Sequence, residues 1–292
     1  MSGINFLPAR KGLGQNFLHD QRVIENIVAS LNPKKNDLVV EIGPGRGALT
    51  GELMQSGCDL HLIEFDRDLA DYWRDQAAGN AALTLHEADV LKFDFGSLMA
   101  EGSLSAEGPL SAEGSLPAEG SIRVIGNLPY NISSPVLFRL LEVREKISDM
   151  VLMFQKEVVD RMVAGPGSKQ FGRLSVMLQQ ASSCERIMDV SPGAFSPPPK
   201  VKSSVVRIVP HTIPAFALTE ESVFGQVVKQ AFSMRRKTLR NSLREWLDAA
   251  DYETLDLNSG QRPEQLAVVE FVALANFIAK QKVIKNNTSQ NE

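Results

Sequence analysis

The chain has 292 residues, of which 43% are hydrophobic and 23% charged, proportions that exclude a largely disordered chain. Two cysteines, Cys58 and Cys184, are too few for a disulfide framework and show no metal-ligand spacing. No apolar run approaches the ~18 residues that a membrane-spanning helix needs, and the N-terminus lacks the apolar core of a secretory signal. We therefore expect a cytoplasmic protein that binds neither a metal nor a membrane.

The predicted elements begin with an amphipathic helix capped by Asp20, after which short apolar runs alternate with helical stretches. The runs predict strands at residues 38–42, 60–63, 83–85, 122–125 and 150–154. This alternation is typical of a parallel sheet with helices on both faces. Two more strands, at 186–190 and 204–209, follow without a long helix between them and predict an antiparallel edge pair.

The pattern becomes helical from about residue 214, so we predict three parts. They are an α/β domain with a seven-stranded sheet over residues 1–213, a small all-helical domain over 214–282 and a flexible tail over 283–292. Residues 100–121 fit neither pattern, because they repeat a six-residue unit rich in Ala, Glu, Gly and Ser. Such a composition buries too little apolar area to order itself, so we predict a mobile surface loop there.

Charge is distributed unevenly along the chain, whose net charge is −4. The repeat carries four glutamates and no lysine or arginine, so the remaining residues are neutral overall. Residues 229–244, in contrast, hold six cations and no acid. Because local charge decides whether a polyanion binds, this basic segment of the helical domain is predicted to bind nucleic acid.

A glycine-rich turn, Gly43-Pro44-Gly45-Arg46-Gly47, joins the first strand to a helix and lets a ligand approach the backbone closely. Glu41, two residues earlier, would repel the pyrophosphate of a dinucleotide but would tolerate a cationic sulfonium amino acid. Taken alone, the motif is a weak signal, and the alternative is a tight turn whose glycines serve packing.

Acidic residues follow at the next two strand ends. Glu64 lies 21 residues after Gly43, where a carboxylate can accept both hydroxyls of a ribose, and Asp66 is the alternative. Asp89 could accept a hydrogen bond from an adenine amino group, and Glu87, on the same strand face, is its alternative. A glycine turn and two acids at three consecutive strand ends predict a site for S-adenosylmethionine.

The fourth strand ends in Asn127-Leu128-Pro129-Tyr130, which resembles the N/D-P-P-Y/F motif of enzymes that methylate exocyclic amino groups of bases. Adenine N6 is a poor nucleophile because its lone pair is delocalised into the ring. The Asn127 amide oxygen and the Leu128 carbonyl could accept its two hydrogens, and Tyr130 could stack on the base. The alternative is a structural asparagine turn with a packed tyrosine.

Six stretches together resemble the bacterial small-subunit ribosomal RNA dimethyladenosine transferases over about residues 8–280: KGLGQNFL, EIGPGRG, IEFD, EAD, NLPYNISSPVLF and FSPPPKVKSSVVR. The resemblance implies a seven-stranded, Rossmann-like S-adenosylmethionine-dependent methyltransferase sheet with a C-terminal RNA-binding domain. It also implies N6,N6-dimethylation of two adjacent adenines near the 3′ end of 16S rRNA in a maturing small subunit. We expect a monomer.

The resemblance further assigns roles to individual residues. Phe195 would face the target base opposite Tyr130, although a core phenylalanine is the alternative. The cofactor contacts would be Asn16, Leu18, Gly43, Glu64, Asp89 and Asn127. Three other functions stay open: methylation of a large-subunit rRNA adenine, methylation of a DNA adenine, and ribosome assembly that depends mainly on binding.

Overall fold

A computed structural model describes residues 8–98, 121–211, 216–234 and 236–289. Apart from Ser121, the repeat that we predicted as a mobile loop lies outside these residues. The chain divides into two compact units. The first comprises Met1–Val159 and Glu185–Pro210, and the second Asp160–Cys184 and His211–Glu292.

A seven-stranded sheet forms the centre of the first unit, as predicted. Its strands, in the spatial order β4-β3-β2-β5-β6-β9-β7, are β2 (Leu38–Ile42), β3 (Asp59–Glu64), β4 (Leu83–Glu87), β5 (Ile122–Asn127), β6 (Ile147–Gln155), β7 (Ser182–Val190) and β9 (Ser203–Pro210). The five strands from β4 to β6 pair in parallel, and β9 runs antiparallel to β6. Val39 and Val40 are both fully buried, because helices cover both faces of a parallel sheet.

The helices of the first unit connect the strands in the predicted alternation. They are α1 (Gln21–Leu31), α2 (Ala48–Gln55), α3 (Arg67–Ala77) and α4 (Ser133–Glu142), and α5 (Lys156–Met162) crosses into the second unit. Asp20 caps α1 as predicted, since its side chain accepts a hydrogen bond from the Val23 amide at 3.1 Å.

A small second sheet was not predicted. β1 (Phe17–Leu18) pairs antiparallel with β8 (Phe195–Ser196), so that Leu18 lies opposite Phe195. Two-residue strands carry too little periodicity to be recognised in a sequence, and these two lie far apart along the chain. The pairing fixes the N-terminal segment to the first unit.

The second unit is helical and has its own hydrophobic core. Its remaining helices are α6 (Arg173–Ala181), α7 (Glu221–Ala231), α8 (Leu239–Ser242), α9 (Ala249–Thr254) and α10 (Val268–Ser289). Phe224 and Phe271 are buried in this core. No helix in the described ranges is long and apolar enough to cross a bilayer.

The boundaries of this unit differ from the predicted ones in two places. We assigned residues 160–184 to the α/β domain, but Phe171 and Val176 pack in the same core as Phe224. A helix with an apolar face belongs to the core in which that face is buried, and its position in the sequence does not show which core that is. Helix α10 continues to Ser289 and so includes the first seven residues of the predicted tail.

Arg123 on β5 is the centre of a partly buried ion network in the first unit. Its Nε lies 2.7 Å from Asp149 Oδ1 and its Nη1 2.8 Å from Asp37 Oδ2. Its guanidinium also donates to the carbonyls of Leu31 and Asn32, where α1 ends. The hydrogen bond with Asp149 raises the pKa of Arg123 above its ordinary value. One side chain thus joins two strands to the end of a helix.

Replacing Arg123 with alanine leaves the buried carboxylate of Asp149 short of a partner, and breaking such a pair costs about 3–5 kcal/mol. We expect a loss of this size in the free energy of urea unfolding, followed by circular dichroism. Arg207→Ala is the matched control, because Arg207 is more exposed and touches the same carboxylate with one nitrogen. Equal losses in the two variants would contradict the central role of Arg123.

Candidate active site

A cavity of about 250 Å³ lies where β2, β3, β4 and β5 end. It is bordered by Gly43 after β2, by Glu64 at the end of β3, by Asp89 after β4 and by Asn127 at the end of β5. The chain order of the strands reverses at β2, which has β3 on one side and β5 on the other. In open α/β sheets, ligands bind in the crevice at such a switch point.

The glycine turn forms the floor of this cavity. Gly43 has a φ of +68°, which disfavours any side chain, and its amide donates to the Ile63 carbonyl at 2.9 Å. A Cβ on Gly47 would lie 2.8 Å from the ring of Trp73. The Trp73 indole in turn donates to the Gly45 carbonyl at 3.0 Å. The glycines therefore serve both readings of the motif, since they allow a tight packed turn and leave the backbone open to a ligand.

The two candidate acids at the end of β3 have different environments. The side chain of Asp66 caps α3, accepts a hydrogen bond from Gln15 Nε2 and forms an ion pair with Arg10 Nη1, both contacts at 2.8 Å. The Oε1 atom of Glu64 accepts two backbone amides, whereas its Oε2 receives only a long contact of 3.3 Å from the Gly45 amide. Glu64 therefore keeps acceptor capacity for a ligand, and the geometry favours it over Asp66.

The two acidic candidates at the end of β4, Glu87 and Asp89, also differ in their environments. Glu87 forms an ion pair of 2.6 Å with Arg74, whereas Asp89 borders the cavity. Phe65 also borders the cavity and is 62% exposed, a large apolar area that a flat ligand could cover. Phe65 was not predicted, and its position between two acidic candidates is the signal that could have identified it.

The Asn127 amide has a defined orientation. Its Nδ2 donates to the main-chain carbonyl of Asn16 at 3.0 Å, which leaves Oδ1 as the atom that can accept from a ligand. Leu128 and Tyr130 border the same cavity. The Tyr130 hydroxyl lies 2.5 Å from Ser203 Oγ, and burial raises the pKa of Tyr130. Ser203, at the start of β9, was not predicted, because nothing in the spacing links it to a tyrosine 73 residues away.

The structure brings eight of the nine predicted site residues to one cavity, the exception being Phe195. Leu18 borders the cavity and lies opposite Phe195 in the small sheet. Phe195 is 3% exposed and belongs to the hydrophobic core of the first unit. Its burial agrees with the alternative of a core phenylalanine, and the stacking role stays a prediction.

Two buried acids make the cavity electrostatically suited to a cation. Glu41 is 1% exposed, accepts a hydrogen bond of 2.7 Å from Thr50 Oγ1, and has a pKa that burial raises to about 8. Burial also raises the pKa of Glu64. A positive charge in the cavity would stabilise both carboxylates. Within the described residues, no three His, Cys, Asp or Glu side chains are grouped as metal ligands.

The strand order, the glycine turn and the acids at successive strand ends define an S-adenosylmethionine-dependent methyltransferase. Within this class, the model of the family described as ribosomal RNA adenine dimethylase matches residues 7–280. The chain belongs to that family.

Relatives and solved structures agree with this membership. The chain is 46% identical over 273 residues to the ribosomal RNA small subunit methyltransferase A of Pseudomonas fluorescens, covering 94% of each chain. It is 47% identical over 271 residues to the protein of the same name in Aromatoleum aromaticum, covering 93% of this chain and 94% of the relative.

Among solved structures, a dimethyladenosine transferase from Plasmodium falciparum is similar, with a TM-score of 0.70 and 25% identity. That comparison covers 88% of this chain and 95% of the other. The 23S rRNA methyltransferase ErmE has a TM-score of 0.64 at 23% identity and covers 90% of this chain and 100% of its own. The second likeness concerns the fold alone.

Glu41 should make the cofactor-free protein less stable as the pH rises. An ordinary glutamate titrates near 4.5 and Glu41 near 8 in the folded state, so between these values the folded state binds more protons than the unfolded state. Stability then falls by up to about 1.4 kcal/mol for each pH unit. We expect Glu41→Gln to flatten this fall in urea unfolding at pH 5, 6.5 and 8.

The control for this experiment is Glu25→Gln, which changes an exposed glutamate on α1 and should follow the parent protein. Parallel pH dependence in the parent and Glu41→Gln would contradict a buried, protonated Glu41.

Proposed function

We propose that this protein transfers methyl groups from S-adenosylmethionine to N6 of two adjacent adenines near the 3′ end of 16S rRNA. We propose further that its substrate is a maturing small ribosomal subunit in the cytoplasm and that it acts as a monomer. Membership in the adenine dimethylase family supports the reaction, and the names of the bacterial relatives support the small subunit. The single observation that carries the chemistry is the Asn127 amide, held with Oδ1 available at the wall of the cavity.

The residues around the cavity fit S-adenosylmethionine. A Cβ built on Gly43 would meet nothing within 4 Å, so the backbone there is open to a ligand. Glu64 would accept the ribose hydroxyls, Asp89 the adenine amino group, and Phe65 would cover a face of the adenine. Asn16 and Leu18 would contact the cofactor from the N-terminal segment. The buried acid Glu41 suits the positive charge.

Bound there, S-adenosylmethionine supplies a methyl group on a sulfonium, which is an excellent electrophile. The protein's part is to position and activate the nucleophile. Asn127 Oδ1 and the Leu128 carbonyl would accept the N6 hydrogens and favour a pyramidal nitrogen with its lone pair directed at the methyl group. Tyr130 would stack on the base, and its bond to Ser203 anchors its hydroxyl. This arrangement needs no covalent enzyme intermediate.

The test is transfer of labelled methyl groups to immature small subunits, protein-free 16S rRNA, 23S rRNA and duplex DNA, with the modified nucleoside identified by mass spectrometry. We expect N6,N6-dimethyladenosine in the immature subunits. Labelling of only 23S rRNA or DNA would assign the protein to another substrate. Binding to subunits without labelling would indicate an assembly factor. Light scattering of the purified protein measures its mass in solution and so tests whether it is a monomer.

Asn127→Ala is the critical variant in this assay. Removal of one preorganised acceptor usually costs ~2.7–4 kcal/mol of transition-state stabilisation, so single-turnover methylation should fall by about 10²–10³-fold. Calorimetry should still detect binding of S-adenosylmethionine. A reduction below threefold would show that Asn127 has no part in activating the amine.

The second unit offers the surface for RNA. Lys237, Arg240 and Arg244 are exposed members of the basic segment 229–244. Replacing all three with glutamine should weaken RNA binding and reduce the slope of log K against log salt by about 2–3, because each phosphate contact contributes roughly 0.7–0.9. Affinity for S-adenosylmethionine should not change.

The matched control removes the same charge from three exposed cations of the first unit, namely Arg22, Lys35 and Lys92. Its salt slope should stay close to that of the parent protein. An equal decrease in both triple variants would mean that RNA binding follows net charge and that the basic segment is not the contact surface.

A further inference from the structure

An N-terminal strap, defined here as residues 10–16, lies along the wall of the cavity. Leu13, Gly14, Gln15 and Asn16 all border the cavity, and β1 continues the wall at its C-terminal end. The strap contains a single turn of 3₁₀ helix, so little of its own backbone bonding holds it in place. Its position must therefore come from contacts with its neighbours.

Asp66 provides the main polar contacts. It is 4% exposed, its Oδ2 accepts a hydrogen bond from Gln15 Nε2, and its Oδ1 forms an ion pair with Arg10 Nη1, each at 2.8 Å. The Arg10 amide donates to Gln15 Oε1 at 2.8 Å, so the two strap residues are also joined to each other. Arg10 reaches the exposed Asp68 with its other nitrogen. Of these partners, Asp66 is the buried one, where an ion pair is least screened by solvent.

The strap also reaches the other wall of the cavity. Asn16 accepts the hydrogen bond that orients the Asn127 amide. Gly14 has a φ of +66°, and a Cβ there would lie 2.9 Å from Asn131 Oδ1. The strap is therefore packed closely against the loop that carries Tyr130.

Asp66 also contacts Glu64, the acid proposed to bind the ribose of the cofactor. Its backbone amide donates to Glu64 Oε1 at 2.8 Å. A continuous series of contacts thus runs from Glu64 through Asp66 and Gln15 to the neighbouring Asn16, and from there to Asn127. No segment of this series requires a contact outside the first unit.

We propose that Asp66 is a positioning residue that holds the strap closed over the cofactor through Arg10 and Gln15, and thereby orients Asn127. The inference rests on the proposed function, in which the cavity takes S-adenosylmethionine and Asn127 takes the adenine amine. Asp66 itself contacts neither the methyl group nor the base.

Two variants separate this role from the role of Asp66 as a helix cap. Asparagine caps a helix as well as aspartate does, through Oδ1, the oxygen that accepts the Asp68 amide. Its neutral NH₂ group would replace Oδ2, so it could not accept from Gln15 Nε2, and the negative charge that pairs with Arg10 would be lost. Asp66→Asn therefore retains the start of α3 and loses strap contacts. Arg10→Ala removes a strap contact and leaves the cap of α3 in place, but it also removes the ion pair with Asp68 in the first turn of that helix. Arg10→Lys, which keeps the charge, should restore part of the effect, and Asp68→Asn should have little effect because Asp68 is exposed.

The first readout is hydrogen exchange in the absence of cofactor. We expect amides of the strap, including Leu13, which donates to the Arg10 carbonyl, to exchange at least fivefold faster in Asp66→Asn and Arg10→Ala. The amide of Ala70, which bonds to the Asp66 carbonyl in α3, should be unchanged. Faster exchange at Ala70 without a change in the strap would mean that Asp66 serves only as a cap, and would overturn the proposal.

The second readout is the release of S-adenosylmethionine in a stopped-flow experiment. Trp73 reports on the glycine turn through its bond to Gly45, and a Trp246→Phe background leaves it as the one tryptophan of the chain. We expect release at least fivefold faster in both variants and a lower kcat at saturating cofactor. Release and exchange within twofold of the parent would overturn the proposal. If the parent binds no S-adenosylmethionine, the proposed function fails, and the exchange data alone decide on the strap.

Discussion

The reversal of strand order at β2 is the constraint on which the site depends. Parallel strands present their carboxyl ends at one edge of the sheet, and the connections after β2 and β5 leave toward opposite sides. A crevice must open between them. The residues that follow β2, β3, β4 and β5 therefore converge although they lie far apart in the sequence. Every polar group assigned to the cofactor or to the amine borders this crevice, and the second unit adds a separate basic surface.

The crevice holds two buried acids, Glu41 and Glu64, whose hydrogen bonds within the described residues come from neutral donors. Glu41 accepts from the Thr50 hydroxyl, and Glu64 accepts from backbone amides. Where opposite charge is needed for structure, as at Asp149, the chain supplies Arg123. The contrast separates two kinds of buried acid. A structural carboxylate such as Asp149 has its own counter-ion, whereas under the proposed function the positive charge of S-adenosylmethionine would stabilise Glu41 and Glu64.

Most of the fold and of the cofactor region could be predicted, because alternating apolar runs report strands and helices directly and the carboxyl ends of parallel strands must meet. The choice between Glu64 and Asp66 could not be predicted, because their spacing of two residues places both on one face of a predicted strand. In the structure β3 ends at Glu64, whereas Asp66 caps α3 and contacts Arg10 and Gln15. Ser203 could not be predicted for a similar reason. Its contact with Tyr130 joins residues that are far apart in the chain, and such a contact leaves no local pattern in the sequence.

The placement of residues 160–184 could not be predicted for the same physical reason. Their helix is apolar on one face, which predicts burial, but periodicity cannot say in which of two cores the face is buried. Phe195 is a second residue whose surroundings the sequence leaves open. An aromatic residue in a proline-rich loop can either stack on a ligand or pack in the core. Phe195 is buried where it pairs with Leu18, and this pairing involves a strand of only two residues, which no sequence pattern reveals.

Dimethylation gives the contact between Asn16 and Asn127 a particular consequence. Each methyl group consumes one cofactor, so two transfers to the same amine require that the spent cofactor leave and a fresh one enter. If the strap encloses the cofactor, it must open between the transfers, and the carbonyl that orients Asn127 moves with it. The amide would then be fully ordered only when the cavity is closed. The protein would thereby avoid a preorganised acceptor that binds the adenine tightly while no methyl group is present.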